Sequence, residues 1–269
     1  MENATPFVLT IDFRGWSAGS LNALQHLAQK HGIKPVYLAS WESLQDASVA
    51  AFLADAVEKA RGEVGILLEN ITTPGTNVEE RVTFLAEAVE RLTGQRPVAH
   101  RAADWCVDEP TFAALAKAGL KTDFTVTPHV QWRTGVDYTS YSEKSYITPQ
   151  GILEVPVTVR AIKQHEFIMD LRKAPGILGK WVNFFFPTVQ WLELDGCAVG
   201  PLIRLAHRCR REESAFVQLT VTAQGLKRGP QAALRQLAWF LGRTSSWWQG
   251  VTSVELVRSF QHQALKNNI

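Results

Sequence analysis

The 269-residue sequence predicts an α/β protein whose mainly parallel sheet forms one open or distorted barrel, and three observations carry that expectation. Short apolar runs alternate with amphipathic helical stretches from residue 7 to about residue 127, the pattern of βα units. The length is ordinary for a single α/β barrel. The stretch Phe7 to Trp16 (Phe-Val-Leu-Thr-Ile-Asp-Phe-Arg-Gly-Trp) is an apolar, β-favouring run that ends on Asp12 and is broken by Gly15 and Trp16, as a buried parallel strand would be. In such barrels the reactive side chains stand at the C-terminal ends of the strands. Asp12 is therefore a candidate catalytic residue, a turn-capping or arginine-pairing aspartate being the other reading.

The elements follow in order. Ala18 to Lys30 carries Leu21, Leu24, Leu27 and Ala28 at helical spacing and stops at His31-Gly32. A strand is expected over 34–39, then a helix over 48–61 with Val49, Phe52, Leu53, Ala56 and Val57 on one face. A third strand, 63–68, is closed by Thr72-Thr73-Pro74-Gly75, and Asn77 caps a helix that runs to about Leu92 and ends at Thr93-Gly94. After a strand over 97–102, Asp108-Glu109-Pro110 opens another helix, with proline at an allowed first-turn position. A fifth strand covers 121–127. Residues 128–149 read as a polar, tyrosine-bearing loop, and Gly151 to Ile162 as a strand bent at Pro156. A second irregular region, 165–196, is rich in aromatics. A helix over 197–211, a strand over 215–222, a helix over 230–241 and a strand over 250–256 complete the set. With no internal repeat and no dividing linker, residues 1–269 are expected to form a single domain with irregular insertions near 128–150 and 165–196.

Composition narrows the function classes. With 46% hydrophobic and 20% charged residues the chain has the make-up of a globular protein with a substantial core. A net charge of +2 gives no argument for a nucleic-acid partner. Arg208, Arg210 and Arg211 are followed at once by Glu212 and Glu213 and read as a solvated helix end. Met1 to Pro6 shows no signal-peptide pattern, and Trp181 to Leu192 falls short of the roughly 20 residues that span a bilayer. Cys106, Cys197 and Cys209 are odd in number and unpaired in spacing, which fits a reducing compartment. The expectation is a cytoplasmic protein without membrane span or nucleic-acid partner. The aromatics of the irregular segments suit a ligand wall, and equally buried loop packing or a homo-oligomer contact.

With the strands placed, several segments line up with one family. Thr10-Ile11-Asp12-Phe13-Arg14-Gly15-Trp16, Glu63-Val64-Gly65 leading to Leu67 and Ile71, His100-Arg101-Ala102-Ala103-Asp104-Trp105, Phe124-Thr125-Val126, Gly151-Ile152-Leu153-Glu154-Val155-Pro156 and Leu219-Thr220-Val221-Thr222 follow one another in family order. Over nearly its whole length the chain resembles the polysaccharide deacetylase superfamily (NodB homology, carbohydrate esterase family 4). The resemblance implies a distorted (β/α)7 barrel. It also implies a divalent metal held by an acidic residue and two histidines, an aspartate base oriented by an arginine, and a histidine acid. Carried across, Asp12 matches the base and Arg101 the orienting arginine, so the two are the catalytic candidates. At the metal positions the chain offers Phe13 or Arg14 and Gly15, then Leu67 and Ile71, with Thr222 in place of the last histidine. A zinc site needs about three protein donors, so no metal and no other cofactor is expected.

Candidate substrate-binding residues at the same strand ends are Arg14, Trp16, Glu69, Asp104, Trp105 and Thr222. Arg14 or Arg101 could replace the metal's charge, or the arginines could pair with Asp12, Glu69 or Asp104 and fill the pocket. A relocated metal site from Asp12, Glu69, Asp104 and His100 is the less favoured reading. Two functions follow. One is a protein of carbohydrate, specifically cell-envelope polysaccharide, biosynthesis that acts on or binds an N-acylated or carrier-linked sugar without the usual metal, as an amide hydrolase if it is active. The other is a catalytically inactive barrel that binds a saccharide or a protein partner.

Overall fold

The computed structural model describes residues 4–69, 71–132, 135–162, 176, 189–194, 199–212, 216–222 and 229–267, with side chains only as far as 261 in the last helix. The chain runs β1 (Thr5–Asp12), α1 (Ala18–Lys30), β2 (Val36–Ala39), α2 (Trp41–Gln45), α3 (Ala47–Glu58), β3 (Glu63–Leu68), α4 (Val78–Thr93), β4 (Ala99–Ala102), α5 (Glu109–Lys117) and β5 (Thr122–Asp123). It continues through β6 (Tyr146–Ile147), β7 (Leu153–Glu154), β8 (Val159–Ala161), β9 (Val189–Trp191), α6 (Val199–Arg211), β10 (Val217–Val221), α7 (Pro230–Thr244), β11 (Trp248–Gly250) and α8 (Ser253–Asn267).

The main sheet has the order β10-β1-β2-β3-β4-β5-β7-β6, with β11 also beside β1, and β8 and β9 form a separate pair. All pairs of the main sheet are parallel except β6 with β7. Backbone bonds carry the curl onward to β10: Val157 N donates to Val126 O and Leu192 N to Thr158 O, both at 2.9 Å. Leu194 N then donates to Thr220 O at 3.0 Å. The deacetylase-type barrel expected from the motifs is therefore the architecture observed.

Strand alternation decides what each face buries. Phe7, Leu9 and Ile11 of the first strand, and Phe13 just after it, point outward into the large core beneath α1, α3 and α7. Val8, with Val36, Leu38, Leu67, Ala99, Phe124, Leu153 and Val155, belongs to a second, inner cluster. The helix ends carry the expected signals. Asn77 Oδ1 accepts from Glu80 N at 2.9 Å, Gly94 closes α4 in the left-handed region at φ 71°, and Asp108 Oδ1 accepts from Thr111 N at 2.9 Å. Gly65 is needed where β3 crosses close to β4, because a Cβ there would lie 2.6 Å from the Ala99 carbonyl oxygen.

Five expectations are corrected. The strand expected over 250–256 is β11 at Trp248–Gly250 followed by α8, whose first residue Ser253 donates its backbone N–H to Glu63 Oε2 at 2.9 Å. The fifth strand is only Thr122–Asp123, and the strand bent at Pro156 divides into β7 and β8. The short α2 was not anticipated; Ser40 Oγ accepts from Ser43 N at 3.2 Å and starts it. The polar loop near 128–150 contains β6 and a bridge between Gln131 and Asp137, while most of 165–196 lies outside the described residues. No helix among the described residues is long and apolar enough to cross a membrane.

Candidate functional site

β1 delivers Asp12 to the open end of the barrel, and the turn after it decides what Asp12 meets. Trp16 N donates to Phe13 O at 2.9 Å, and Gly15 takes φ 76°, a left-handed turn suited to glycine. Arg14 is thereby turned back over Asp12. Its Nε donates to Oδ1 at 2.9 Å and its Nη2 to Oδ2 at 2.6 Å, a bidentate fork. Its remaining terminal nitrogen, Nη1, donates to Glu69 Oε1 at 2.5 Å, and Glu69 also accepts from Thr72 Oγ1 at 2.6 Å. Burial alone would lower the Arg14 pKa, but the hydrogen bonds and charges of Asp12 and Glu69 raise it above the ordinary arginine value. The cation is permanent.

Arg101 rises from β4 inside the barrel, where it is fully buried. Nε donates to the Phe124 carbonyl at 3.0 Å, and Nη2 donates across the interior to Thr10 Oγ1 at 2.7 Å and Thr220 Oγ1 at 3.3 Å. With its amide turned so that the oxygen faces Arg101, Gln218 accepts from the same Nη2 at 2.5 Å. The Arg101 Nη1 has no hydrogen-bond partner among the described residues. Burial pushes the Arg101 pKa down to about 10, against the surrounding charges of Asp12, Asp123, Glu193 and Glu154, so the group keeps its proton at neutral pH. No hydrogen bond joins Arg101 to Asp12 among the described residues. The arginine that holds the candidate base is Arg14, two residues along the chain.

On the other flank, pairing of Ile11 with Val221 sets Asp12 and Thr222 side by side at the tips of β1 and β10. Thr222 Oγ1 donates to Glu193, whose backbone bridges Thr220 in parallel. Glu193 was missed from sequence. It sits in the segment read as irregular, and its signal was the short alternation Trp191-Leu192-Glu193-Leu194, in which both leucines are buried.

Trp105 lies over Arg101, with the guanidinium carbon 5.1 Å from its ring centroid. It stacks on Trp132 at 5.9 Å and 5°, and Trp191 stands edge-on to both at 6.0 and 5.9 Å. Trp105 adopts φ 60°, a conformation costly for a bulky side chain. Asp104 accepts from Cys106 N at 3.1 Å at the same bend.

The structure thus brings Asp12, Arg14, Glu69 and Thr222 together and sets Arg101 and Trp105 just behind them. Asp104 stands apart: it is exposed and lines a separate cavity of about 320 Å³ with Cys106 and Thr111. Trp16 is buried in the outer core and edges a cavity of about 200 Å³ that Arg14 also lines, with Glu42 and Asp46. His100 is on the outer face of the sheet, its Nδ1 2.5 Å from Asp123 Oδ1. Strand alternation separates it from Arg101, so it cannot join Asp12 in a relocated metal site.

The donor set does not fit the metal that the resemblance implies. Arg14 is already ion-paired, Leu67 sits in the inner core in register with Arg101, and Ile71 is 97% exposed and apolar. Among the described residues no three His, Cys, Asp or Glu side chains are grouped to hold an ion.

No family model and no curated protein matches this sequence. Solved structures do match. A Mycobacterium smegmatis protein named as a polysaccharide deacetylase superposes with a TM-score of 0.61 at 12% identity, over 98% of this chain and 93% of that one. A mutant of a CE4 family pseudoenzyme of Bacillus anthracis, with restored enzymatic activity, matches with a TM-score of 0.52 at 12% identity, over 96% and 69%. The α-amylase AmyC of Thermotoga maritima matches with a TM-score of 0.51 at 8% identity, over 95% and 75%. The last of these shows that the barrel alone does not fix a chemistry. Strand order, motif order and the first two likenesses agree on one conclusion: this chain has the fold of the polysaccharide deacetylases.

Proposed function

We propose that the chain is a deacetylase-fold protein of carbohydrate metabolism that binds an N-acylated saccharide at the open end of its barrel without hydrolysing it. The observation that carries this reading is the Arg14 fork. Both oxygens of Asp12 accept from one guanidinium, which also ties down Glu69. A general base must be reached by the proton it abstracts, and here a fixed cation lies across the candidate base. Leu67 and Ile71 supply nothing that would polarise an acetamide carbonyl. What remains suits binding. Arg14, Thr222 and Glu193 offer donors and acceptors for hydroxyl and amide groups, and half-buried Trp132 and Trp191 offer aromatic surface for a sugar ring.

The test is direct. Purified protein is incubated with N-acetylated chito-oligosaccharides, with and without added zinc, cobalt or manganese, and released acetate is measured beside calorimetric binding. Binding without acetate above the blank is the expected result. Acetate release that Asp12→Asn abolishes would overturn the reading, and so would failure to bind any N-acylated sugar. One feature favours a second reading, metal-independent deacylation: the Arg101 Nη1 lacks an acceptor among the described residues, a donor that a developing oxyanion could use after a shift of Trp105.

A further inference from the structure

We propose that the outer face of α6 is a docking surface for an acidic polysaccharide. Arg204, Arg208 and Arg211 recur at intervals of four and three residues, which places them on one stripe, and all three are exposed. With His207 and Glu212 they line a groove of about 340 Å³. Arg210 lies on the same helix, its guanidinium carbon 5.6 Å from the Trp247 ring centroid, and His207 meets that ring edge-on at 5.8 Å. Among the described residues of this groove the carboxylate is Glu212, and its charge is already shared. Arg208 Nε donates to it at 2.7 Å and Arg160 Nε at 3.2 Å. Arg204 and Arg211 make no ion pair among the described residues. The cluster is a solvated helix end, as read from sequence, and it forms a cationic groove in which Arg204 and Arg211 are unengaged among the described residues, in a chain of net charge +2.

The form of the groove selects the occupant. Guanidinium forks fit carboxylates and phosphates, so the ligand is anionic. The walls are arginine, histidine and glutamate, without the apolar side chains that a membrane-seated surface inserts. Trp247 is half-buried and already meets Arg210 and His207, so it is no platform for successive nucleobases to stack on. The stripe spans seven residues, roughly 10 Å at 1.5 Å per residue, short for a nucleic-acid phosphate track. A polymer of acidic sugars meets these terms, and this choice rests on the carbohydrate reading of the barrel mouth.

The probe is polygalacturonate, which carries carboxylates and no N-acyl group. Its binding to the full chain at low salt is followed by calorimetry, beside neutral dextran, anionic phospholipid vesicles and duplex DNA. The expected result is binding that weakens as salt rises, is absent with dextran, and falls roughly tenfold or more in Arg204→Glu/Arg211→Glu, with Arg204→Gln/Arg211→Gln as the milder variant should charge reversal disturb folding. Neither variant is expected to change binding of N-acetylated chito-oligosaccharides, so the groove and the barrel mouth fail separately. The proposal is overturned if polygalacturonate does not bind, binds both variants as well as the parent, or binds no better than dextran. Tighter binding of vesicles or DNA overturns it as well.

Discussion

Replacing Arg14 with methionine removes a guanidinium that three carboxylate oxygens accept from and keeps most of the side chain's apolar length. Breaking one partner of an enclosed ion pair costs about 3–5 kcal/mol, because the remaining charge is left unpaired. Side-chain exposures here are 21% for Arg14, 4% for Asp12 and 12% for Glu69. Partial contact with water brings the expected loss to about 2–3 kcal/mol. At about 2–4 °C per kcal/mol for a chain approaching this size, the melting temperature falls by roughly 5–10 °C. Thermal unfolding followed by circular dichroism at pH 7.5 measures the loss. A fall of less than about 2 °C would show that the fork does not hold the strand tips together.

Four other substitutions test separate parts of the fold. Burial pushes the Glu63 carboxyl up to about 7, against the hydrogen bonds it accepts from the backbone of Val254 and Ser253. Between its ordinary range and pH 7 the folded chain holds a proton that the unfolded chain has released, so stability falls as pH rises, by up to about 1.4 kcal/mol per pH unit. Glu63→Gln is expected to flatten that slope in urea unfolding between pH 5 and 8; a slope that survives the change would place its origin elsewhere. Behind the barrel wall, burial and the neighbouring Asp123 raise Glu154 well above the usual carboxylate range; burial would raise Asp123 too, but the charge and hydrogen bond of His100 together with the hydrogen bonds of Glu154 and Thr125 hold it below that range. Glu154→Gln then mimics the protonated acid and costs less than about 1 kcal/mol, whereas Asp123→Asn strips His100 of its counter-charge and costs about 3 kcal/mol; the reverse order in urea unfolding would contradict this protonation scheme. Gly65→Ala drives a methyl to 2.6 Å from the Ala99 oxygen and is expected to cost more than about 2 kcal/mol. A melting temperature within error of the parent would show that β3 and β4 can part without penalty.

What could be read from the sequence follows from how local each signal was. Asp12 at the end of an apolar run, Asn77 and Asp108 as caps, Gly94 as a stop and the order of the motifs are settled within a few residues, and they placed β1 to β4 and α3 to α5 to within about three residues. Positions whose state depends on distant partners were not legible. Residues 253–256 were read as part of a strand because Val254 and Leu256 look β-favouring; the helix there is fixed by Glu63, 190 residues away, which accepts from Ser253. Of the site, an arginine paired with Asp12 or Glu69 was among the sequence readings, but which arginine would make the pair was not legible. Spacing could not tell that Arg14 would fold back onto Asp12 while Arg101 reached Thr10 and Thr220. Alternation puts His100 and Arg101 on opposite faces of their strand, but only the packing shows that the side of His100 is the outer one. Glu193 needed the bridge to Thr220 before it could be seen beside Thr222.

The guanidinium of Arg14 has a consequence for how the barrel mouth responds to its surroundings. An ion borrowed from solution comes and goes with supply, and chelators or competing metals can strip or replace it. A positive charge that is part of the polypeptide has no dissociation constant. It is installed at translation, and only mutation or covalent modification can take it away.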